Sequence, residues 1–239
     1  MSLDFTSSGS RVNHGTGATI NNLPSAPMTG WVWLYRTANG TNQHVITKDD
    51  NGNFQQGWGF VVSNDGAEGQ VSAFFLTSSG ESNARSGSGT SFGTGRVDLN
   101  TWTFVSFVLD KGSTPNVKLY MGTQSATVAE VTAYAIQTST ATAYGDDSAY
   151  SLYVGNLQRA SAVYPFKGSL ARGGLINRAL TVGELRTLQF ASARQANVAD
   201  TKLLFNYDGT TGTQPDLSGN SNSGTVTTAV RGTPSLIRP

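Results

Sequence analysis

The stretch from residue 166 to 185, FKGSLARGGLINRALTVGEL, constrains the fold of this chain most. Its first half is mainly apolar with paired glycines at its centre, a pattern typical of a strand that packs closely against another backbone. Its second half predicts one short helix near 181–190. Thr181 and Glu184 have the spacing at which a hydroxyl and a carboxylate together satisfy the free N–H groups of a first helical turn.

Short apolar runs separated by turn residues fill most of the remaining chain, at the spacing expected of a β-sandwich. The run 30–35 is apolar on both faces and should therefore be a central strand. We expect one or two weaker edge strands within 123–149, and a long polar loop at 77–95. The predicted strands are 1–5, 30–35, 44–47, 57–63, 70–76, 102–109, 116–121, 151–155 and 166–176.

The predicted fold class is therefore all-β: a two-sheet antiparallel β-sandwich with one short helix. No linker divides the chain, so we expect a single domain over 1–239, with 227–239 as an extended C-terminal arm. The chain has no cysteine, which leaves core packing and strand hydrogen bonds to stabilise it.

Charge excludes several partner classes. Charged residues make up 13% of the chain and the net charge is +1. Without a Lys/Arg cluster, neither nucleic acid nor an anionic membrane is an expected partner. No run approaches the length of a membrane span, and the first ten residues lack the basic and apolar regions of an export signal.

Catalytic patterns are also missing from the sequence, so we expect no enzymatic activity. Glycoside hydrolases of the sandwich class place two carboxylates on one strand in a Glu-x-Asp-x-x-Glu run, and this chain has none. Its histidines, His14 and His44, accompany no Gly-x-Ser-x-Gly nucleophile turn.

Several segments in order resemble the laminin-G-like, concanavalin A-like lectin jelly roll. They are SLDFTSSGSRV, WVWLYR, HVITKDDNGNFQQGWGFVVSNDG, LNTWTFVSFVLDKGSTPNVKLYMG and LYVGNLQRASAVYPFKGSLARGGLINRALTVGEL. The resemblance covers most of the chain and implies a concanavalin A-like jelly roll.

One segment departs from the family pattern. In many members a stretch like DLSGNSNSGTV precedes the first strand, whereas here it follows the predicted helix. This placement resembles that in structural proteins of tailed phages. It favours a virion structural protein, such as a capsid decoration or cement subunit on the virion exterior, with major capsid or other virion proteins as partners and a homo-oligomer as an option. The alternative is a secreted carbohydrate-binding module or adhesin that binds surface glycans.

Candidate site residues follow from each of these possibilities. Trp58, Phe54 and Tyr164 would supply aromatic faces for a glycan, although core or edge packing explains them better. The resemblance implies a rim calcium ion in many members. Its oxygen ligands would come from one of two sets, for which ordinary turn and loop chemistry is the better explanation: Asp49, Asp50 and Asn51, or Asp146 and Asp147. We therefore expect no cofactor, with calcium as the alternative.

Overall fold

The structure, a computed structural model, describes residues 2–5, 7–40, 42–49, 56–62, 68–77, 80–87, 95–139, 144–157, 164–207, 209 and 211–232. Its strands are β1 (Leu3–Asp4), β2 (Arg11–Gly15), β3 (Met28–Arg36), β4 (Gln43–Asp49), β5 (Gly57–Val62), β6 (Val71–Thr77), β7 (Gly80–Ser86), β8 (Trp102–Leu109), β9 (Val117–Thr123), β10 (Ala129–Glu130), β11 (Tyr134–Ser139), β12 (Leu152–Val154), β13 (Gly168–Ile176), β14 (Thr201–Asn206), β15 (Thr213–Gln214), β16 (Gly224–Thr227) and β17 (Val230–Arg231). The helix α1 spans Val182–Phe190, and two 3₁₀ turns span Ala18–Ile20 and Leu23–Ser25.

The strands form two antiparallel sheets. Sheet 1 has the order β10-β9-β8-β3-β13-β1-β17, with β14 also paired to β13. Sheet 2 has the order β11-β7-β6-β5-β4-β12-β2-β16-β15. The predicted all-β sandwich with one short helix is confirmed, and β3 is central between β8 and β13. Of the helices in the described part of the chain, none is long and apolar enough to span a membrane.

An aromatic cluster fills the space between the sheets. Phe107 of sheet 1 meets three rings of sheet 2 edge-on, with centroid distances of 6.0 Å to Trp58, 5.2 Å to Phe60 and 5.5 Å to Phe75. All four side chains are fully buried. Edge-to-face pairs of this kind add stabilisation beyond the burial of apolar area.

The outer face of sheet 1 is covered by α1. Leu185 and Leu188 of the helix are buried in a second cluster that includes Trp31, Trp33 and Phe104 of the sheet. The indole of Trp33 also donates to the carbonyl oxygen of Gln189 at 3.0 Å. The predicted helix is present, and Thr181 with Glu184 forms the predicted capping box. The central strands of sheet 1, β3, β8 and β13, are therefore buried on both faces.

The paired glycines of β13 allow close backbone approach, as predicted. A Cβ on Gly173 would lie 2.6 Å from the carbonyl oxygen of Trp31 in β3. A Cβ on Gly174 would lie 2.6 Å from the carbonyl oxygen of Leu203 in β14. Both distances are below any normal contact, so side chains at these positions would push the neighbouring strands apart.

Two stretches differ from the prediction. The predicted loop at 77–95 contains β7, whose inward-facing residues, including Ala84, are small. Small residues give little hydrophobic contrast, which is why the alternation was not recognised.

The predicted arm at 227–239 is part of the sandwich over its described residues: Thr227 pairs with Arg11, and β17 pairs with β1. Residues 233–239 lie outside the described part. The expected edge strands within 123–149 are β10 and β11.

The segment 215–226 is tied into the fold by polar contacts around Asp216. Its carboxylate accepts the backbone N–H groups of Leu204 at 3.1 Å, Ser218 at 2.9 Å and Asn222 at 2.9 Å. Burial raises the pKa of Asp216, but these hydrogen bonds outweigh it and hold the pKa below its usual value. The segment therefore has a clear structural role.

Candidate functional site

The outer face of sheet 2 carries one row of side chains that crosses every strand of the sheet. The row follows from the pairing register, because paired residues on adjacent strands share a face. At about 4.8 Å per strand, nine strands give a row roughly 38 Å long. Its members are uncharged: Thr138, Asn83, Phe74, Gly59, Thr47, Tyr153, Asn13, Thr225 and Thr213.

Tyr153 lies near the middle of this row. Its neighbours Leu152 and Val154 are buried in the core, so the alternation of β12 turns the phenol outward, where it is half-buried. The guanidinium carbon of Arg11 lies 6.0 Å from the ring centroid. Among the described residues the Tyr153 hydroxyl has no hydrogen-bond partner, which leaves it to donate to or accept from a ligand.

Asn13 is paired with Tyr153 on the adjacent strand. Its side-chain oxygen accepts the N–H of Gly15 at 2.8 Å, which fixes the orientation of the amide. Within the described ranges its NH₂ group has no acceptor. Thr225, paired with Asn13, and Thr213, paired with Thr225, are exposed and extend the line of hydrogen-bonding groups to the sheet edge.

Phe74 provides an apolar surface on the other side of the row. It is paired with Gly59, and a Cβ on Gly59 would lie 2.5 Å from Cζ of the Phe74 ring. The glycine therefore gives the ring room to lie across the neighbouring strand. Asn83, on the far side of Phe74, accepts a weak hydrogen bond from Ser72 at 3.4 Å.

A second aromatic group borders the row. His44 lies on the same face as Thr47, and its Nδ1 is 2.8 Å from the Thr47 hydroxyl. The imidazole is 5.5 Å from the Tyr164 ring and 6.4 Å from the Phe74 ring, measured between centroids. Tyr164 is half-buried, and of the two predicted glycan-stacking residues that the structure describes it is the one at this face.

The sequence of residues 8–186 matches the family model described as the concanavalin A-like lectin/glucanases superfamily. This match covers most of the chain. The chain belongs to this superfamily. No curated protein sequence matches it.

Two solved structures resemble this lectin-like domain. A candidate carbohydrate-binding protein from Bacteroides ovatus has a TM-score of 0.63 and 12% identity, covering 96% of this chain and 58% of that protein. This chain thus spans less than two thirds of the Bacteroides protein. The CBM40 domain of the Ruminococcus gnavus IT-sialidase, bound to α2,3-sialyllactose, has a TM-score of 0.50 and 16% identity, covering 78% of this chain and 95% of that domain. At these identities the likeness shows the fold.

Trp58 of this lectin-like domain is placed in the core. It is fully buried, and its ring meets Phe107 of the opposite sheet. Its register opposite Lys48 and Phe75 puts it on the inner face, so its indole is not presented to a ligand. Phe54 lies outside the described residues.

Of the predicted calcium ligands, the structure describes Asp49, Asp146 and Asp147. Asp147 is buried, 3.6 Å from Nζ of Lys48, and its carboxylate accepts the N–H of Asn22 at 2.7 Å. Burial raises the pKa of Asp147, although the Asn22 and Lys48 contacts oppose the shift. These partners occupy the carboxylate with structural contacts.

The other acidic candidates also have structural surroundings. Asp146 is exposed and accepts the N–H of Ser148 at 2.9 Å, which is ordinary turn chemistry. Asp49 is buried at the end of β4, and Asp50 and Asn51 lie outside the described part of the chain. Across the described residues, no group of three or more His, Asp or Glu side chains is arranged to hold a metal ion.

The sequence interpretation missed Tyr153, Asn13 and Phe74. The strands that carry them were predicted in two cases, 70–76 and 151–155, but the face of sheet 2 that points outward was not. The alternation Leu152-Tyr153-Val154 contained the signal, because two aliphatic residues flank an amphipathic one.

Proposed function

We propose that this chain is a non-enzymatic carbohydrate-binding domain that holds an oligosaccharide on the outer face of sheet 2. The row of uncharged side chains around Tyr153 carries this proposal. It combines two aromatic rings with amide and hydroxyl groups, which are the groups that a sugar ring requires. The similarity in fold to carbohydrate-binding proteins supports the proposal.

The chemistry of the row suits sugars in two ways. Sugar hydroxyls both donate and accept hydrogen bonds, as do the amides of Asn13 and Asn83 and the hydroxyl of Tyr153. The C–H groups on one face of a pyranose pack against aromatic rings, here those of Phe74 and Tyr153. Three strand spacings separate these two rings, about 14 Å, so one ligand that contacts both must be an oligosaccharide.

The outer faces of the two sheets differ in accessibility, and this difference favours sheet 2 as the binding face. The outer face of sheet 1 is buried under α1, with Leu185 and Leu188 in the apolar cluster. A broad ligand has no access to that face. Sheet 2 instead has half-buried and exposed polar side chains along most of its row, with Thr47 as the fully buried member.

The absence of a catalytic carboxylate run supports binding without hydrolysis. A retaining glycosidase needs two carboxyl groups about 5 Å apart. The four glutamates of the sequence, Glu68, Glu81, Glu130 and Glu184, are far apart in the chain, and none belongs to a Glu-x-Asp-x-x-Glu run.

A glycan array followed by calorimetric titration of the best oligosaccharide tests the proposal. Tyr153→Ala and Phe74→Ala should each weaken binding about tenfold or more, since buried aromatic anchors dominate such sites. Asn13→Asp keeps the acceptor for Gly15 but removes the free NH₂ donor, and should weaken binding about fivefold. Tyr153→Phe, which keeps the ring, is the matched control and should lose less oligosaccharide affinity than Tyr153→Ala.

Two results would contradict the proposal. One is an array without signal. The other is a bound oligosaccharide whose affinity stays the same in Tyr153→Ala and Phe74→Ala while circular dichroism shows both variants folded.

A location on a virion surface, with capsid proteins as partners, rests on the sequence resemblance alone and stays a prediction. The secreted alternative is equally compatible with glycan binding. Co-purification of the chain with virus particles would separate these two locations.

A further inference from the structure

A cavity of about 220 Å³ opens on the opposite side of the sandwich from the row on sheet 2. It lies beside the turn that leads into α1, above strands β8 and β9. Its apolar wall comes from Val108, Ala179 and Leu180, and its polar groups include Asp110, Lys118 and Tyr120. Ligand pockets for drug-sized molecules usually have 300–1,000 Å³, so this volume fits a smaller ligand.

The wall of the cavity is held firmly. The Thr29 hydroxyl of β3 donates to the carbonyl oxygen of Arg178 at 2.8 Å and accepts the N–H of Leu180 at 3.1 Å. These two bonds fasten the turn before α1 to sheet 1. On the floor, Val108 and Lys118 are directly paired across β8 and β9. A site built on fixed backbone needs little ordering when a ligand binds.

Tyr120 supplies a hydroxyl that the fold does not use. The side chain is 8% exposed, and within the described residues its hydroxyl has no hydrogen-bond partner. Burial, together with the charges of Glu130 and Asp110, raises the pKa of Tyr120 to about 12. The phenol is therefore protonated at neutral pH and available as a donor.

Two carboxylates, Asp110 and Glu130, and one ammonium, Lys118, lie in or beside the cavity. One carboxylate oxygen of Asp110 accepts the N–H of Gly112 at 3.1 Å, and the other has no described partner. Lys118 lies 3.6 Å from Glu130 in a partly exposed pair, so its ammonium keeps donors for a ligand. Because Lys118 is paired with Glu130, the Asp110 carboxylate leaves the cavity slightly negative, which disfavours an anionic ligand and provides an acceptor for hydroxyl groups.

We propose that this cavity binds a single neutral sugar ring, independently of the oligosaccharide face on sheet 2. The Asp110 carboxylate would accept hydrogen bonds from two neighbouring ring hydroxyls, while Lys118 and Tyr120 donate to ring oxygens. Val108 and Leu180 would contact the C–H groups of the ring. The domain would then bind glycans on both sides of the sandwich and would be able to bridge two glycan chains.

Titration of the ¹⁵N-labelled chain with free glucose, galactose, mannose and N-acetylgalactosamine tests this site. At least one of these sugars should shift the amide signals of Lys118, Tyr120 and Leu180. Tyr120→Phe should weaken the binding of that sugar about fivefold. Asp110→Asn should weaken it about tenfold or more, because hydrogen bonds to charged groups are stronger than those between neutral groups. Tyr35→Phe, on the same face of sheet 1 but away from the cavity, is the matched control and should change nothing.

This titration tests the cavity separately from the proposed oligosaccharide site on sheet 2. Tyr153→Ala should leave the shifts of Lys118 and Leu180 unchanged, whatever it does to oligosaccharide binding on sheet 2. The proposal is overturned if none of the four sugars shifts these signals, if a zwitterion such as free glycine shifts them and the sugars do not, or if Tyr120→Phe binds as well as the parent chain.

Discussion

At the scale of single residues, His14 is a titratable side chain buried inside the fold. It is fully enclosed between Phe205, whose ring centroid is 6.0 Å away, and the segment 215–226. Its Nδ1 lies 2.7 Å from the carbonyl oxygen of Asn222, and its Nε2 lies 3.4 Å from the Tyr207 hydroxyl. Burial lowers the pKa of His14, and the Asn222 carbonyl and the Asp216 carboxylate oppose this only in part.

This burial predicts acid sensitivity. Because the folded state holds His14 neutral, unfolding takes up a proton once the pH falls below the unfolded pKa of 6.5. The stabilisation is complete above that pH and is lost as the pH falls towards the folded value. Between pH 7.5 and 5.5 the free energy of unfolding should drop by up to about 1.4 kcal/mol from this group.

Urea unfolding of the parent chain and of His14→Gln at both pH values measures the effect. The variant should be less stable at pH 7.5 but show a smaller drop at pH 5.5, with the remaining histidine, His44, common to both chains. An equal drop in the two chains would show that His14 is not the titrating group.

Residue roles were the hardest part to predict from sequence. Trp58 and Tyr153 both stand in short apolar strands, yet one is core and the other faces outward. In a sheet the side-chain period of two sorts residues onto two faces but does not say which face is the inner one. That assignment depends on the opposite sheet, which no local pattern contains.

At the scale of elements, α1 depends on its cap and on its docking. A nine-residue helix is too short to be stable alone in water. The Thr181 hydroxyl accepts the N–H of Glu184 at 3.3 Å, and the Glu184 carboxylate accepts the N–H of Thr181 at 2.9 Å. Arg178 lies 2.6 Å from the same carboxylate and fixes its position.

Thr181→Ala should therefore lower the free energy of unfolding by about 1 kcal/mol, the usual effect of losing an N-cap. Thr187→Ala, within the helix, is the matched control and should have a smaller effect, since alanine has the higher helix propensity. Urea unfolding gives both values. Oligosaccharide affinity should be the same in both variants, because α1 covers sheet 1 and the proposed glycan face is on sheet 2. A loss of affinity in Thr181→Ala would argue against that separation.

Most elements were predictable where large apolar residues stand out clearly from their polar or turn-forming neighbours in the sequence. The helix was found from its cap, and the glycine-containing strand β13 from its composition. β7 was missed because its inward residues are small, and the pairing that makes it a strand comes from its neighbours, β6 and β11. Tertiary context of this kind routinely overrides local propensity.

At the scale of the whole molecule, the two described ends of the chain meet in the sandwich. β17 pairs with β1 and β16 pairs with β2, and the N–H of Gly232 donates to the carbonyl oxygen of Ser2 at 2.8 Å. A segment that follows the helix can therefore occupy the same place as one that precedes the first strand. This accounts physically for the departure from the family order noted in the sequence.

A circular permutant tests that account. A chain that begins at residue 208, continues through 232, and joins residue 2 by a short Gly/Ser linker should keep the fold, because the joined ends are adjacent. Its melting temperature should lie within about 5 °C of the parent, a shift of roughly 1–2 kcal/mol in a domain of this size. A permutant opened inside β5 is the control and should fail to fold; loss of folding in the first permutant would contradict the adjacency.

The fold and family of the molecule were predictable because many segments agree in order, whereas the function was left open between a virion structural protein and a glycan-binding domain. The virion prediction rested on the position of one segment, which the structure explains by its place between β14 and β2. The family match and the fold comparisons show the fold, and glycan binding is our proposal. The row of side chains that carries the proposal depends on register across nine strands, which a single sequence does not reveal.

The most direct test of the glycan face is mapping of amide chemical shifts during titration with the best oligosaccharide from the array. We predict that the largest shifts cluster on Asn13, Phe74, Asn83, Tyr153 and Thr225, which share only the outer face of sheet 2. Shifts confined to sheet 1, or to residues outside this row, would contradict the account.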